Sequence, residues 1–147
     1  MSEVHRVVMD TSTLIGAVLR PSSVPRQAFL AAVRTHELCV SQATLNELRE
    51  VLQRGKFDRY APLQERLDFL ALLTERSRLW DVDAVSEQAA SGACRDAKDD
   101  KFLALALACQ AVALLSSDAD LLVMHPWQGV QIMTPERSFS PASIRST

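Results

Sequence analysis

Asp10, Glu47, Asp99 and Asp118 are the residues whose types and placement could do chemistry. Asp10 closes the apolar, β-rich run Val4–Met9 and precedes Thr11, Ser12 and Thr13, hydroxyl residues suited to capping a helix that carries Leu14, Ile15, Val18 and Leu19. Asp118 follows the buried-strand pattern Val112–Leu115 and the pair Ser116-Ser117, and with Asp120 it opens another short helix. Asp99 opens a central helix over about 99–111, whose core FLALALACQAVALL is apolar on every side. Glu47 sits four residues from both Ala43 and Val51, so it flanks the stripe of Leu45, Leu48, Val51 and Leu52 and faces inward, unlike Arg49, Glu50 and Arg54. In an open parallel sheet, the crevice beyond the carboxyl ends of the strands binds ligands, and three of these acids belong at that rim. Clustered carboxylates suit magnesium or manganese, hard cations that take oxygen ligands and share their shell with water and phosphate. Such an ion orients water and neutralises charge on a phosphodiester, so the pattern points to hydrolysis of a nucleic-acid backbone.

Each acid also has an ordinary structural use. Asp96, Asp99 and Asp100 precede one helix and Asp118 and Asp120 another, where carboxylates cap free N–H groups, and Glu47 can be a solvated helix residue. Jointly these uses are less comfortable. Two carboxylates about 5 Å apart repel by roughly 3 kcal/mol at an effective dielectric near 20, so a real cluster requires cations or protonation.

The elements that must position these acids fit one domain, 1–147, with a core over about 4–139 and a flexible tail expected at 140–147. A helix from Pro25 to about His36 buries Phe29, Leu30 and Val33, and a second strand, Glu37 to Val40, ends at Ser41, the cap of a helix over about 42–55. Lys56 to Ala61 is a polar connection, 62–76 an amphipathic helix, and 78–82 a third strand. The stretch 83–93 is ambiguous, with its break at Ser91-Gly92; later come a helix to about Met124, a turn at 126–129 and a last strand at 130–133. Helices alternating with short strands define an α/β domain with a parallel sheet.

Composition narrows the class without naming a partner. Hydrophobic residues make up 48% and charged residues 23%, and no apolar run reaches the roughly 18 residues of a membrane span, so a cytoplasmic, membrane-free address is expected. Cys39, Cys94 and Cys109 are scattered with no C-x-x-C pair, which reads as reduced core thiols. A net charge of -2 leaves nucleic-acid binding open, because an acidic site can hide a basic surface elsewhere.

The segments DTSTL (10–14), SQATLNELREVL (41–52), CRDAKDDKFLALALA (94–108) and LLSSDADLL (114–122) resemble, in order and spacing, the PIN-domain proteins. The likeness is greatest to the toxins of bacterial toxin–antitoxin pairs and runs from Val4 to about Phe139. It implies a parallel sheet of strand order 3-2-1-4-5 and a metal-dependent ribonuclease. On that basis Asp10, Glu47, Asp99 and Asp118 are the catalytic acids, and Asp10, Asp99 and Asp118 the ligands of Mg2+ or Mn2+. Thr11, Ser116, Asp96 and Asp120 are supporting polar groups. The implied partners are RNA, a small antitoxin protein and further copies of the chain as a homodimer or higher oligomer. Many relatives have Asn where Ser12 stands and Pro where Ala97 stands; neither departure replaces a carboxylate. Asp99 keeps Phe102 and the LALALA run in the family's register, while a one-residue slip would select Asp100 instead. Arg20, Arg26, Arg49, Arg54, Lys56, Arg59, Arg95 and Lys98 are available to phosphates, or are only a solvated surface. Phe57, Tyr60 and the helix from Pro62 offer anchors for a protein partner, or belong to the core.

Competing assignments fit less well. A phosphate-receiving signalling domain asks for adjacent acids after the first strand and a late lysine, but Thr11 follows Asp10 and no Lys lies beyond Lys101. A haloacid-dehalogenase-like phosphatase would place a second Asp where Ser12 stands. A catalytically silent PIN-fold module that binds RNA or protein is the remaining alternative.

Overall fold

Strand β1, Arg6–Met9, forms the middle of a five-stranded sheet in the computed structural model, which describes residues 4–137. The expected domain edge at 139 and tail at 140–147 lie outside the described residues. The chain continues through α1 (Thr11–Leu19), α2 (Val24–Thr35), β2 (Glu37–Val40), α3 (Gln42–Leu52), α4 (Leu63–Arg76), β3 (Arg78–Leu79), α5 (Ala84–Ala90), α6 (Asp100–Ala108), β4 (Ala113–Leu115), α7 (Ala119–Leu122) and β5 (Gln131–Met133). The pairings among these five strands are parallel and the order is β3-β2-β1-β4-β5, as the resemblance implied.

Side-chain alternation along these short strands builds two cores, one on each face of the sheet. Val7, Met9, Leu38, Val40, Ala113 and Leu115 point to α1 through α4, where Phe29, Leu48, Leu52 and Leu73 are almost fully buried. Val8, Cys39, Leu114 and Ile132 point the other way, onto Phe102, Leu103 and Leu105 of α6 and Leu121 of α7. Helix α6 is apolar all round because it lies against the sheet under α5, Cys94 and Trp80. Cys39, Cys94 and Cys109 are free and buried. No helix among the described residues is long and apolar enough to cross a membrane.

Local chemistry sets the element ends. Ser23 caps α2 with Pro25 in its first turn, and Ser41 and Thr44 form a reciprocal capping box on α3. Asp83 accepts from the Ser86 amide and resolves the ambiguous 83–93 stretch as a helix over its first half. Helix α6 stops at Ala108, short of the expected 111. Gln110 turns to φ 56°, and the Ala111 amide reaches back to the Ala106 carbonyl at 2.9 Å, a Schellman closure that frees the chain for β4. Helix α3 ends at Leu52 rather than Gly55, and the polar connection beyond it contains a 3₁₀ turn, Gly55–Phe57. The third strand is only two residues long, an exposed edge that departs after the Trp80 amide bonds the Val40 carbonyl.

Candidate active site

The strand registers align Met9 with Leu115, and Leu115 with Met133, so the chain leaves β1 and β4 side by side at one rim. Asp10 and Ser116 are the first residues past that rim. A cleft of about 320 Å³ opens there, lined by Asp10, Glu47, Asp99 and Asp118 together with Phe57 and Phe102. A larger hollow of about 470 Å³ lies on the far side of Lys101, beside Trp80 and the start of α3. The four acids of the sequence pattern meet in the smaller cleft and not in the larger hollow.

Asp10 is 3% exposed and is tied down by three donors. Its Oδ1 accepts from the Thr13 amide at 3.0 Å and the Ser12 hydroxyl at 3.2 Å, and its Oδ2 accepts from Ser116 Oγ at 2.5 Å. Asp10 itself is therefore the N-cap of α1, a task the sequence pattern offered to the hydroxyls that follow it. Burial pushes its carboxyl above the ordinary value, against the pull of those hydrogen bonds. Ser116 couples two acids, since its hydroxyl oxygen also accepts the Asp118 amide at 2.9 Å. Asp118 in turn caps α7 through the Asp120 amide at 2.9 Å.

Glu47 reaches in from α3 and is gripped from two sides. Thr11 Oγ1 donates to one oxygen, and Lys101 Nζ donates to the other at 2.7 Å. Both members of the Lys101–Glu47 pair are about three-quarters buried, at 25% and 24% exposure, so the contact is better shielded than a surface ion pair. Asp99 ends the 3₁₀ turn Ala97–Asp99 and caps nothing with its side chain. Its Oδ2 is buried with no hydrogen-bond partner. Burial first, then the neighbouring Asp118 and more weakly Asp96 and Asp10, push the Asp99 carboxyl up to about 7.

Asp100 lies on the opposite side of the helix start. It accepts from the Gly92 and Cys94 amides at 2.8 and 3.0 Å and pins the 92–100 loop, so the geometry puts Asp99 rather than Asp100 on the cleft. Asp96 is exposed and caps the 3₁₀ turn through the Lys98 amide; neither it nor Asp120 lines the cleft. Among the basic candidates, Arg20 stands at the far end of α1, Arg49 is exposed on α3, and Arg26 donates to the Ala17 carbonyl at 2.6 Å, closing α1. Arg95 and Lys98 are exposed on the loop before α6, and Arg54, Lys56 and Arg59 are exposed near Phe57 in sequence but do not themselves line the cleft. Lys101 went unremarked in the sequence as a site residue. A lysine directly after the acids of CRDAKDDK, on the buried helix that they open, was the available signal.

A divalent ion fits this donor set in charge and burial. The partnerless Asp99 oxygen and the raised Asp99 carboxyl mark a place where a cation would replace a proton. As arranged, no group of three or more His, Cys, Asp or Glu side chains among the described residues is gathered closely enough to hold a metal. Asp10 and Glu47 are instead turned toward their hydroxyl, amide and ammonium partners.

Fold and cleft together define a PIN-type domain, and the chain belongs to that family: it matches the PIN domain over residues 6–120. Among solved structures it is similar to VapBC2 from Rickettsia felis bound to a DNA fragment from its promoter, at 16% identity and a TM-score of 0.61, over 86% of this chain and 96% of that one. It is also similar to FitAcB from Neisseria gonorrhoeae, at 24% identity and a TM-score of 0.56, over 88% and 98%. At these identities the likeness speaks for the fold. No curated protein matches the chain.

Proposed function

We propose that this chain is a metal-dependent ribonuclease that hydrolyses RNA phosphodiester bonds and acts in the cytoplasm as the toxin of a toxin–antitoxin pair. The observation that carries this reading is the cleft itself. Four carboxylates, drawn from the ends of β1 and β4, the start of α6 and the inner edge of α3, share a space of about 320 Å³, and one buried oxygen of Asp99 is unsatisfied. Asp10, Asp99 and Asp118 would hold Mg2+ or Mn2+. When bound, such an ion supplies charge neutralisation at the phosphodiester and a more easily deprotonated water. The chain's own residues orient the site. Ser116 holds Asp10 and the Asp118 backbone in one geometry, while Thr11 and Lys101 hold both oxygens of Glu47. Asp96 and Asp120 shape the turns that carry Asp99 and Asp118. Membership of the PIN family and the likeness to VapBC2 and FitAcB support the nuclease and antitoxin parts. Tyr60 and Leu63, exposed just before and at the start of α4, are apolar surface for an antitoxin segment or a second copy in a homodimer.

Purified protein should cleave RNA with added Mn2+ or Mg2+ and stop on chelation. Asp118→Asn, which keeps an α7 cap, should abolish cleavage without unfolding the chain. A second reading, a silent PIN-fold module that binds RNA or protein, draws on the absence of a gathered metal cage among the described residues. Binding of RNA with no metal-stimulated cleavage would select it.

A further inference from the structure

Glu47 differs from the other three acids of the cleft in already holding a cation. Asp10, Asp99 and Asp118 form no ion pair among the described residues. Asp10 and Asp118 are partnered by hydroxyls and amides, and one Asp99 oxygen is buried with no partner. Glu47 instead has a donor on each oxygen, the Thr11 hydroxyl on one and the Lys101 ammonium on the other at 2.7 Å. Lys101 is itself held in place. Its Nζ also donates to the Lys98 carbonyl, on the short turn that presents Asp99, and lies 5.5 Å from the centroid of the Phe102 ring, which lines the cleft. Lys101 lines the larger hollow and Glu47 the cleft, so their ion pair is the partition between the two spaces.

A nuclease that works with two divalent ions needs carboxylates for both, and holds the ions about 3.5–4 Å apart. Here Asp10, Asp99 and Asp118 serve one ion, and Glu47 is the acid of the cleft that remains for another. A further ion at Glu47 has to displace the ammonium or sit beside it, and a divalent ion beside a fixed positive charge in a partly shielded cleft is repelled. Resting on the metal-dependent ribonuclease reading, we propose that this chain is a one-ion nuclease in which Lys101 takes the place of the second ion. A lysine ammonium is a compact point charge, as a metal ion is. Unlike a metal ion, it is supplied by the chain and does not depend on metal concentration. Lys101 is then a positioning residue: it neutralises Glu47 and keeps it outside the shell of the bound ion, where the remaining lone pairs of the carboxylate can accept from the attacking water.

The test counts Mn2+ on the full-length protein, first stripped of metal by chelator, using equilibrium dialysis and electron paramagnetic resonance at about a hundredfold excess over the first dissociation constant. The parent should bind one Mn2+ per chain, with the spectrum of an isolated ion. Lys101→Met keeps an unbranched apolar stem and removes the charge, which opens Glu47 to a second ion; this variant should bind two, close enough to couple magnetically. Lys101→Arg keeps a cation and should stay at one. Lys101→Met with Glu47→Gln removes both charges of the pair and should return to one, held with an affinity within about tenfold of the parent's. A lysine that only braces the fold would leave the count and the coupling unmoved. Two coupled ions in the parent, or a single ion in folded Lys101→Met, overturn the inference. So does a loss beyond about tenfold in the double variant, which places Glu47 in the shell of the first ion. Should Lys101→Met fail to fold in thermal melts, the double variant, in which neither member of the pair is left as a lone charge, decides by that affinity alone. A parent that binds no Mn2+ defeats the metal-dependent reading itself, whereas a parent that holds two coupled ions and cleaves RNA defeats only the role of Lys101.

Discussion

Asp10→Asn separates the proposed metal ligand from the helix cap, because Asp10 both caps α1 and lines the acidic cleft. The amide oxygen can still face the Thr13 amide, and Asn caps helices as well as Asp, so α1 keeps its start. On the other side, the amide can donate to Ser116 Oγ in place of accepting from it. Exchanging a charge-assisted bond for a neutral one costs about 1 kcal/mol. Burial already disfavours the charged form of Asp10, so removing that charge works against this loss. Metal-free parent and variant should therefore melt within about 2–4 °C of each other, the equivalent of about 1 kcal/mol in a chain this size. Metal should distinguish them. At a Mn2+ concentration a hundredfold above its dissociation constant, the parent gains about 2.7 kcal/mol, or about 5–10 °C. A variant with hundredfold weaker affinity gains only about 0.4 kcal/mol at the same concentration. Thermal melts with and without Mn2+, read beside cleavage of a labelled RNA by the folded fraction, measure both effects. An Asp10→Asn protein that keeps the full metal-induced rise and cleaves RNA would refute the assignment of Asp10 as a ligand and leave it a cap.

Asp99→Asn should abolish the metal-induced rise in melting temperature, while Asp100→Asn should retain it and instead loosen the 92–100 loop, seen as faster amide exchange at Gly92 and Cys94; the reverse pattern would show that the ligand is Asp100. In chelator, native Asp99 keeps its proton up to about 7 while the unfolded chain loses it near 3.8, so the native state binds more protons across that window and stability falls as pH rises through it. Asp99→Asn should remove its own share of that slope; Asp10, raised by burial, keeps a falling share in both proteins, and His36, whose ring burial and then His5 bias toward the neutral form, tilts the opposite way in both. A parent and variant with parallel profiles would show that the Asp99 proton is ordinary. Lys101→Met should cut cleavage by roughly 10-fold or more, as for loss of a group that orients a catalytic carboxylate, and cost about 1–3 kcal/mol in a denaturant melt because it strips a partner from the mostly buried Glu47; full activity would show that Thr11 alone orients Glu47. Leu105→Ala should lower stability by about 2–5 kcal/mol by opening a cavity at a fully buried position of α6, a result readable by urea melts and contradicted by a change below about 1 kcal/mol.

How much was legible in the chain follows from the range of each interaction. Apolar runs of three residues punctuated by hydroxyl and acidic caps specify strand-then-helix locally, so β1, β2 and the starts of α3 and α7 could be read directly from the residues, whereas the cap of α1 passed from the expected hydroxyls to Asp10. The all-apolar run after Lys101 can only be a helix covered on every side, and that already requires a sheet with both faces buried. Ends decided by reach-back bonds were harder to see. The Schellman closure that stops α6 at Ala108 depends on Gln110 taking φ 56°, a conformation glutamine does not advertise, and the early exit of β3 depends on its place at the sheet edge. The order of acids along the chain said which residues were candidates, but their orientation was left to the fold. Asp99 and Asp100 are neighbours of identical chemistry, and only the helix phase, set by Phe102 and Leu103 packing beneath the sheet, turns one into the cleft and the other onto the amides of Gly92 and Cys94. Lys101 meets Glu47 across 54 residues, and Ser116 meets Asp10 across 106. Contacts of that separation are written in no local pattern; the parallel register of β1 and β4 and the packing of α3 beside α6 create them.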